Sequence, residues 1–332
     1  MATDAPALGE FGRIARFFRP LAAGFPGALD LTDDAAVLDV PAGQELVVTT
    51  DAIVAGVHFL PSDAAGDIAR KALRVNLSDL AAKGARPYAY TLTLAVGRDV
   101  ADDWIAAFAA ALADDQRQYG IKLAGGDSVS TSGPIWVSIT AFGLADAGRT
   151  VRRTGAKPGD LVLVTGTIGD AALGLAVEQG RLSVDAADRA ALVDRYRLPR
   201  SRTQLAAGIA EHAHAAIDIS DGLAADFSHL CRASKVRGRI VISKIPLSPS
   251  ARRVIDADSG QMAQVLGGGD DYEVLMAVPA TAVPALMAAA AAAGIGVAEI
   301  GAILDSNPEG EAFFIDDSGE RLVFEKAGWT HS

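Results

Sequence analysis

The period of the hydrophobic pattern changes several times along the chain, and each change predicts an element. Apolar residues at 11, 14, 15, 17 and 18 recur at helical spacing and predict a short first helix over 11–18. Asp33-Asp34-Ala35-Ala36-Val37-Leu38 reads as a turn running into a strand. Val47-Val48 reads as a second strand, which breaks into Thr49-Thr50-Asp51 with His58 seven residues on. From 67 to 83, Ile68, Ala69, Ala72, Leu73, Val75 and Leu80 fill one apolar arc and predict a helix, with Asp67 as cap and Gly84 just past its end. Asn76 falls in the middle of that arc and Asp79 at its edge, so polar groups interrupt a buried face and need partners or a ligand.

Further strands are predicted at 88–96, 121–124, 135–142, 161–166, 274–278, 298–304 and 312–315, and helices at 101–119, 201–214 and 281–293. Gly125-Gly126-Asp127-Ser128 and Gly267-Gly268-Gly269-Asp270-Asp271 predict tight, ligand-facing turns. Residues 215–222 predict a strand ending in acids and a hydroxyl, with Asp218 and Ser220 on one face and Asp221 opening the next helix. The polar stretch 146–160, with Arg152, Arg153, Lys157 and Pro158, marks a domain boundary. It divides 332 residues into domains over 1–148 and 149–332, each large enough to bury a core.

Composition narrows the function classes. A net charge of −11 argues against nucleic acid as partner, because phosphate backbones demand a basic face. It does not exclude phosphate substrates, since divalent metal inverts the local sign. Cys231 stands alone, so no internal disulfide or cysteine-based zinc site is available, and a buried, inert thiol is expected. Residues 2–10 are neither basic nor continuously apolar, and no apolar run reaches membrane-spanning length; the expectation is a cytoplasmic protein without a membrane partner.

The candidate chemistry lies in the acids. Asp34, Asp51, Asp79, Asp127, Asp218 and Asp221 recur beside small residues at the ends of apolar elements or the edge of a buried helix face. Taken singly, each reads as a turn or capping residue. Taken together they repel: two such charges ~4 Å apart cost about 4 kcal/mol at an effective dielectric near 20. Thr49, Thr50 and Asp51 form an all-oxygen set suited to Mg²⁺, and several such ions bridging polyphosphate oxygens would neutralise a convergent cluster. Neither a Walker A pattern nor the kinase His-Arg-Asp and Asp-Phe-Gly signatures occur. The residues by themselves therefore predict a metal-rich, phosphoryl-handling site.

One ordered series is more specific. It comprises Asp33-Asp34-Ala35-Ala36-Val37, Thr49-Thr50-Asp51 with His58, Asn76-Leu77-Ser78-Asp79-Leu80-Ala81, Gly125-Gly126-Asp127, the stretch from Arg153 to Asp160, Asp218-Ile219-Ser220-Asp221-Gly222 and the terminal Gly328-Trp329. In this order and over nearly the whole chain it resembles the bacterial thiamine-monophosphate kinase family, a branch of the superfamily of aminoimidazole ribonucleotide synthetase and selenophosphate synthetase. The resemblance implies an α+β N-terminal domain whose mixed sheet forms a barrel at a homodimer interface. It also implies an α/β C-terminal domain that completes the nucleotide and substrate cleft, and ATP-dependent conversion of thiamine monophosphate to thiamine diphosphate.

Carried over residue by residue, Asp34, Thr49, Thr50, Asp51, Asp79, Asp127, Asp218 and Asp221 resemble the family's Mg²⁺ ligands. Gly126, Asp127, Arg153 and Ser220 resemble its ATP contacts, and His58, Asp270 and Trp329 its substrate contacts. Trp329 could then stack on thiamine, where a cation over its face gains roughly 0.5–2 kcal/mol. Two departures stand out. The family leads into its first acid pair with a glycine-rich turn where this chain has Leu31-Thr32, and it carries Glu where this chain has Asp270. Alternative readings are a purine-pathway synthetase of the same superfamily and a non-enzymatic, divalent-metal-binding protein. The sister branches that rely on a reactive cysteine near either terminus fit poorly, because Cys231 lies near neither.

Overall fold

Why α2 (Ala65–Ala82) is a helix is plain from its arc: Ile68, Ala69, Ala72, Leu73 and Leu80 are all buried in the computed structural model, which describes residues 8–322. Contacts divide these residues into two units, one running up to Leu80 and resuming over Pro87–Ala147, the other comprising Ala81–Arg86 and everything from Gly148 on. Asp67 does not cap α2. The helix starts two residues earlier, and the Asp67 N–H already donates to Ala64 O.

The first unit opens with α1 (Glu10–Arg13), which runs into a π-helical turn, Ile14–Phe18, burying Phe17 and Phe18. Leu29, Asp30 and Leu31 follow with positive φ. The resemblance implied a glycine-rich turn where Leu31-Thr32 stands; Leu31 takes the left-handed backbone there, while Thr32, at φ −119°, does not. No strand forms over 35–38; Val37 makes a single backbone bond, from its N–H to Gly27 O, because no neighbouring strand is offered to it. The sheet comprises β1 (Gln44–Val54), β2 (Arg86–Gly97), β3 (Lys122–Thr131) and β4 (Trp136–Asp146), in the order β1-β4-β2-β3. It is mixed: β1 and β4 are antiparallel, β2 and β3 parallel. It closes no barrel; β1 and β3 are its two edges.

α3 (Asp102–Tyr119) ends at Gly120, whose φ of +67° is the usual glycine exit from a helix. Arg74 of α2 grips Asp115 of α3 through two bonds, Nε at 2.7 Å and Nη2 at 2.8 Å, and Gln116 of α3 donates to the Tyr90 hydroxyl of β2. Gly125-Gly126-Asp127 is not a turn. β3 continues through it to Thr131 after a register shift at Ala124, and Gly126 passes so close to β2 that a Cβ there would lie 1.9 Å from Leu92 O. The glycine serves strand packing, which a turn-based reading of Gly-Gly cannot foresee.

The second unit holds a seven-stranded mixed sheet. In chain order it contains β5 (Asp160–Thr165), α4 (Asp170–Glu178), α5 (Ala186–Arg197), α6 (Ala206–His212), β6 (Ala215–Asp218), α7 (Leu223–Ser234) and β7 (Val236–Val241). There follow α8 (Pro249–Ala257), α9 (Met262–Gly267), β8 (Val274–Pro279), α10 (Val283–Ala292), β9 (Val297–Ser306), β10 (Glu311–Ile315) and β11 (Arg321–Leu322). The strand order is β11-β10-β7-β9-β5-β8-β6.

Both faces of the second sheet are buried, which explains the unbroken apolar runs of its central strands. On β5, Val162 and Val164 join one core with Phe227 and Leu230 of α7, while Leu163 joins another with Ile209 of α6 and Leu286 of α10. Helix α5 has no sequence forecast because charged residues replace part of its apolar stripe; Asp188 and Arg195 are buried there. Among the described residues no helix is long and apolar enough to cross a membrane.

Candidate active site

Strand alternation splits the Thr49-Thr50-Asp51 motif. Thr49 Oγ1 donates to Asp79 Oδ2 at 2.6 Å, while Thr50 points the other way, donating to Ile139 O and accepting from the Thr140 hydroxyl at 3.0 Å. Asn76, the buried polar residue of the α2 arc, is a brace. Its Oδ1 accepts the Asp51 N–H at 3.1 Å and its Nδ2 donates to Ala72 O at 3.0 Å. It thereby fixes β1 against α2 so that Asp51 and Asp79 lie side by side. Loss of water around the Asp51 carboxyl, then the Asp79 charge and a hydrogen bond to it, pushes its pKa up to about 6, although the residue as a whole is exposed. Two carboxylates and a hydroxyl are hard oxygen donors, and a cation among them would replace the bound proton. The set fits Mg²⁺.

Asp34 and Asp127 meet elsewhere. They line a cavity of about 310 Å³ together with Asp33 and the apolar Ile14, Phe18 and Leu31. Asp34 N–H donates to Asp33 Oδ1 at 2.7 Å, and Ser128 N–H to Asp127 Oδ1 at 2.8 Å. Gly126 lines the same cavity. β1 and β3 are three strand spacings apart in the sheet order, roughly 14 Å measured along it, so Asp51 and Asp127 of one chain lie far beyond the reach of a single ion. The first unit thus carries two oxygen-rich positions.

His58 sits in the tight turn after β1. Its Nδ1 accepts the Val54 N–H at 3.1 Å, which puts the neutral ring's proton on Nε2. The buried Lys71 of α2 donates from Nζ to His58 O at 2.8 Å and steadies the turn. Lys71 was not singled out from the sequence; its signal was a lysine lying on the apolar arc of α2.

In the second unit, Asp218 is the buried last residue of β6, and the strand stops before Ser220, so the two do not share a strand face. α7 begins after Gly222, which occupies the N-cap; Asp221 precedes it. Arg153 is placed by its backbone. Ala216 N–H donates to Arg152 O, and the Ser234 hydroxyl at the end of α7 donates to Arg153 O at 2.9 Å. Asp226 of α7 accepts the N–H groups of Ser220 and Asp221 at 3.1 and 3.0 Å. Burial and the Asp221 charge push the Asp226 carboxyl up to about 7, against the pull of those N–H groups and of Arg153. Asp221, Asp226 and His229 bring ligand atoms within 4.8 Å of one another. Burial, Arg232 and Arg153 lower the pKa of His229.

Neither Asp226 nor His229 was anticipated as a site residue. Their spacing of three, on one face of a helix just past Asp221, was the available signal. Asp270, with φ +74°, is held by its N–H to Ser220 O at 3.0 Å, so the glycine-rich segment packs directly on the Ser220 backbone. Trp329 lies outside the described residues.

The model of the AIR synthase related protein N-terminal domain matches residues 32–145, and that of its C-terminal domain residues 157–311. The chain is 47% identical to the thiamine-monophosphate kinase of Caulobacter vibrioides, covering 97% of this chain and 90% of that one. It is 39% identical to that of Escherichia coli K12, over 98% of each chain. The solved complex of AaThiL with AMPPCP and TMP superposes with a TM-score of 0.77 at 30% identity, covering 98% of this chain and 97% of the other. Identity at that level over nearly the whole length of both chains places the chain in the thiamine-monophosphate kinase family.

Proposed function

We infer that this protein transfers the γ-phosphoryl group of ATP to thiamine monophosphate, giving ADP and thiamine diphosphate. The observation that carries the reading is near-full-length identity of 47% and 39% to thiamine-monophosphate kinases. The structural neighbour that binds both AMPPCP and TMP supports the substrate pair.

Mg²⁺ is the proposed cofactor, held by Asp34, Thr49, Thr50, Asp51, Asp79, Asp127, Asp218 and Asp221. Of these, Thr50 would need its side chain to turn or its backbone to serve, given its bond to Ile139 O. When bound, the metal offsets charge on the transferring phosphoryl and the leaving ADP. Gly126, Asp127, Arg153 and Ser220 would contact ATP. The Arg153 guanidinium, exposed on a backbone anchored at two carbonyls, suits a phosphate clamp. His58 would donate from Nε2 to the substrate, and Asp270 and Trp329 would complete its contacts. The acceptor is a phosphate oxygen already anionic at neutral pH, so no general base is required and transfer is direct and in-line.

The enzyme is proposed to act in the cytoplasm as a homodimer whose N-terminal sheets pair into a barrel. β1 supports this: it is an eleven-residue edge strand with Val48 54% exposed, a combination that single chains seldom leave bare. Residues 1–148 would carry metal, ATP and dimer contacts, and 149–332 the remaining nucleotide and substrate contacts.

The test is product analysis with ATP, Mg²⁺ and thiamine monophosphate, beside controls with thiamine or an aminoimidazole precursor. Thiamine diphosphate and ADP in equal amounts, abolished by Asp51→Asn, are expected. ATP turnover only with the purine precursor would overturn the assignment, and a phosphorylated residue trapped during turnover would overturn direct transfer.

A further inference from the structure

We propose that Asp226 is a positioning residue of the phosphoryl-transfer site: from the first turns of α7 its carboxylate fixes the backbone of Ser220 and Asp221 and so sets where those two side chains present their oxygens. The inference rests on reading Ser220 and Asp221 as nucleotide and metal contacts. One oxygen of Asp226 takes both N–H groups, at 3.1 Å from Ser220 and 3.0 Å from Asp221. On the other side the same backbone is tied to the glycine-rich segment. Ser220 O accepts the Asp270 N–H at 3.0 Å, and Ile219 both donates to Glu273 O and accepts from the Tyr272 N–H, at 2.8 Å each. Residues 219–221 are thus held from two directions, and on the α7 side a single oxygen of Asp226 takes both N–H groups.

Asp226 is not the cap of α7, a place that Gly222 takes. Asp226 is 2% exposed and lies against the like charge of Asp221, an arrangement that costs free energy in a protein selected for stability alone. It is intelligible beside a cation: an outer carboxylate that orients the backbone of a metal-ligating acid typically matters 10–100-fold in metal affinity or activity. Asp226 itself touches no reacting atom in this scheme; it acts through Ser220 and Asp221.

The experiment compares Asp226→Ala, Asp226→Asn and Asp221→Asn in the full chain. One readout involves no turnover: the Mg²⁺ concentration giving half the thermal stabilisation by a non-hydrolysable ATP analogue. The other is steady-state kinetics against Mg²⁺ and thiamine monophosphate. Asp226→Ala is expected to raise the Mg²⁺ half-saturation about 10–100-fold and to leave the KM for thiamine monophosphate within about twofold. Asp226→Asn keeps an oxygen that can accept both N–H groups and is expected to recover to within about fivefold of the parent. A folded Asp226→Ala with the parent Mg²⁺ titration overturns the proposal. So does an Asn variant as impaired as the Ala variant. If Asp226→Ala fails to fold, the Asn variant decides, and a Mg²⁺ half-saturation raised more than about fivefold in a folded Asp226→Asn overturns the proposal. Unchanged Mg²⁺ dependence in Asp221→Asn would instead remove the underlying reading of Asp221 as a ligand.

Discussion

The Thr49 hydroxyl donates to Asp79 across 2.6 Å, joining an edge strand to a buried helix at the point where Asp51 lies beside Asp79. The bond orients one carboxylate of a close pair and spends the hydroxyl's only proton on it, leaving the Thr49 oxygen lone pairs to face a cation. Thr49→Val keeps the shape and removes the oxygen. Its expected effect is a rise of about tenfold in the Mg²⁺ half-saturation of activity. Titrating Mg²⁺ at saturating ATP checks this, and an unchanged half-saturation would detach Thr49 from metal binding.

Two neighbouring glycines should behave differently. A Cβ on Gly126 would sit 1.9 Å from Leu92 O, whereas one on Gly125 meets nothing within 4 Å. Gly126→Ala must therefore push β3 off β2, and its expected cost is about 3 kcal/mol or more, with loss of activity. Gly125→Ala is expected to stay within about 1 kcal/mol. Urea unfolding of the pair decides it; equal costs would contradict the strand packing described for β3.

Arg74 and Asp115 form a buried two-bond ion pair between α2 and α3, with side chains 11% and 1% exposed. Removing one partner strands the other's charge in the core. Asp115→Ala is expected to destabilise by about 3–5 kcal/mol, while replacing both with apolar residues of similar volume recovers most of the loss. Denaturant midpoints of the single and double variants test this.

The Cys231 thiol is buried, and loss of water around it pushes its pKa up to about 12. Its native form stays protonated where an unfolded thiol ionises near 8.5. The unfolded state then binds fewer protons, so this group's contribution to stability is intact below about pH 8 and falls as pH rises from there toward 12. Cys231→Ala should flatten that decline. A thiol reagent at pH 8 is expected to leave the folded protein unlabelled and to label it on unfolding; rapid labelling of the native state would refute the burial.

Val48 projects from the edge strand β1 with about half its surface open. If that edge pairs with a second copy, Val48→Lys should shift sedimentation toward monomer by weakening an apolar contact and adding charge at the seam. An unchanged sedimentation profile would move the dimer contact elsewhere.

Much of the architecture was legible in the sequence because periodicity reports burial directly. The α2 arc, the exit of α3 at Gly120 and the doubly buried runs of β5 and β8 all follow from which positions must leave water. The acids were legible as an ordered series, though singly each reads as a turn or capping residue. Helix α5 was not legible, because its buried Asp188 and Arg195 satisfy themselves with distant partners, Arg253 and Glu273, that no local pattern displays.

What the sequence alone determined, then, is the order of the acids and hydroxyls along the chain and the strongly periodic elements among them, such as α2 and β1. The tertiary structure decided their grouping. It turned Thr50 away from Thr49, made a brace of Asn76 and a strand of Gly125-Gly126-Asp127, and set Asp226 behind Ser220 and Asp221. The reason is physical: the hydrophobic period is a property of neighbours along the chain, whereas a hydrogen bond between residues 25 or 30 positions apart depends on how two elements pack, and packing is decided only when the whole core closes.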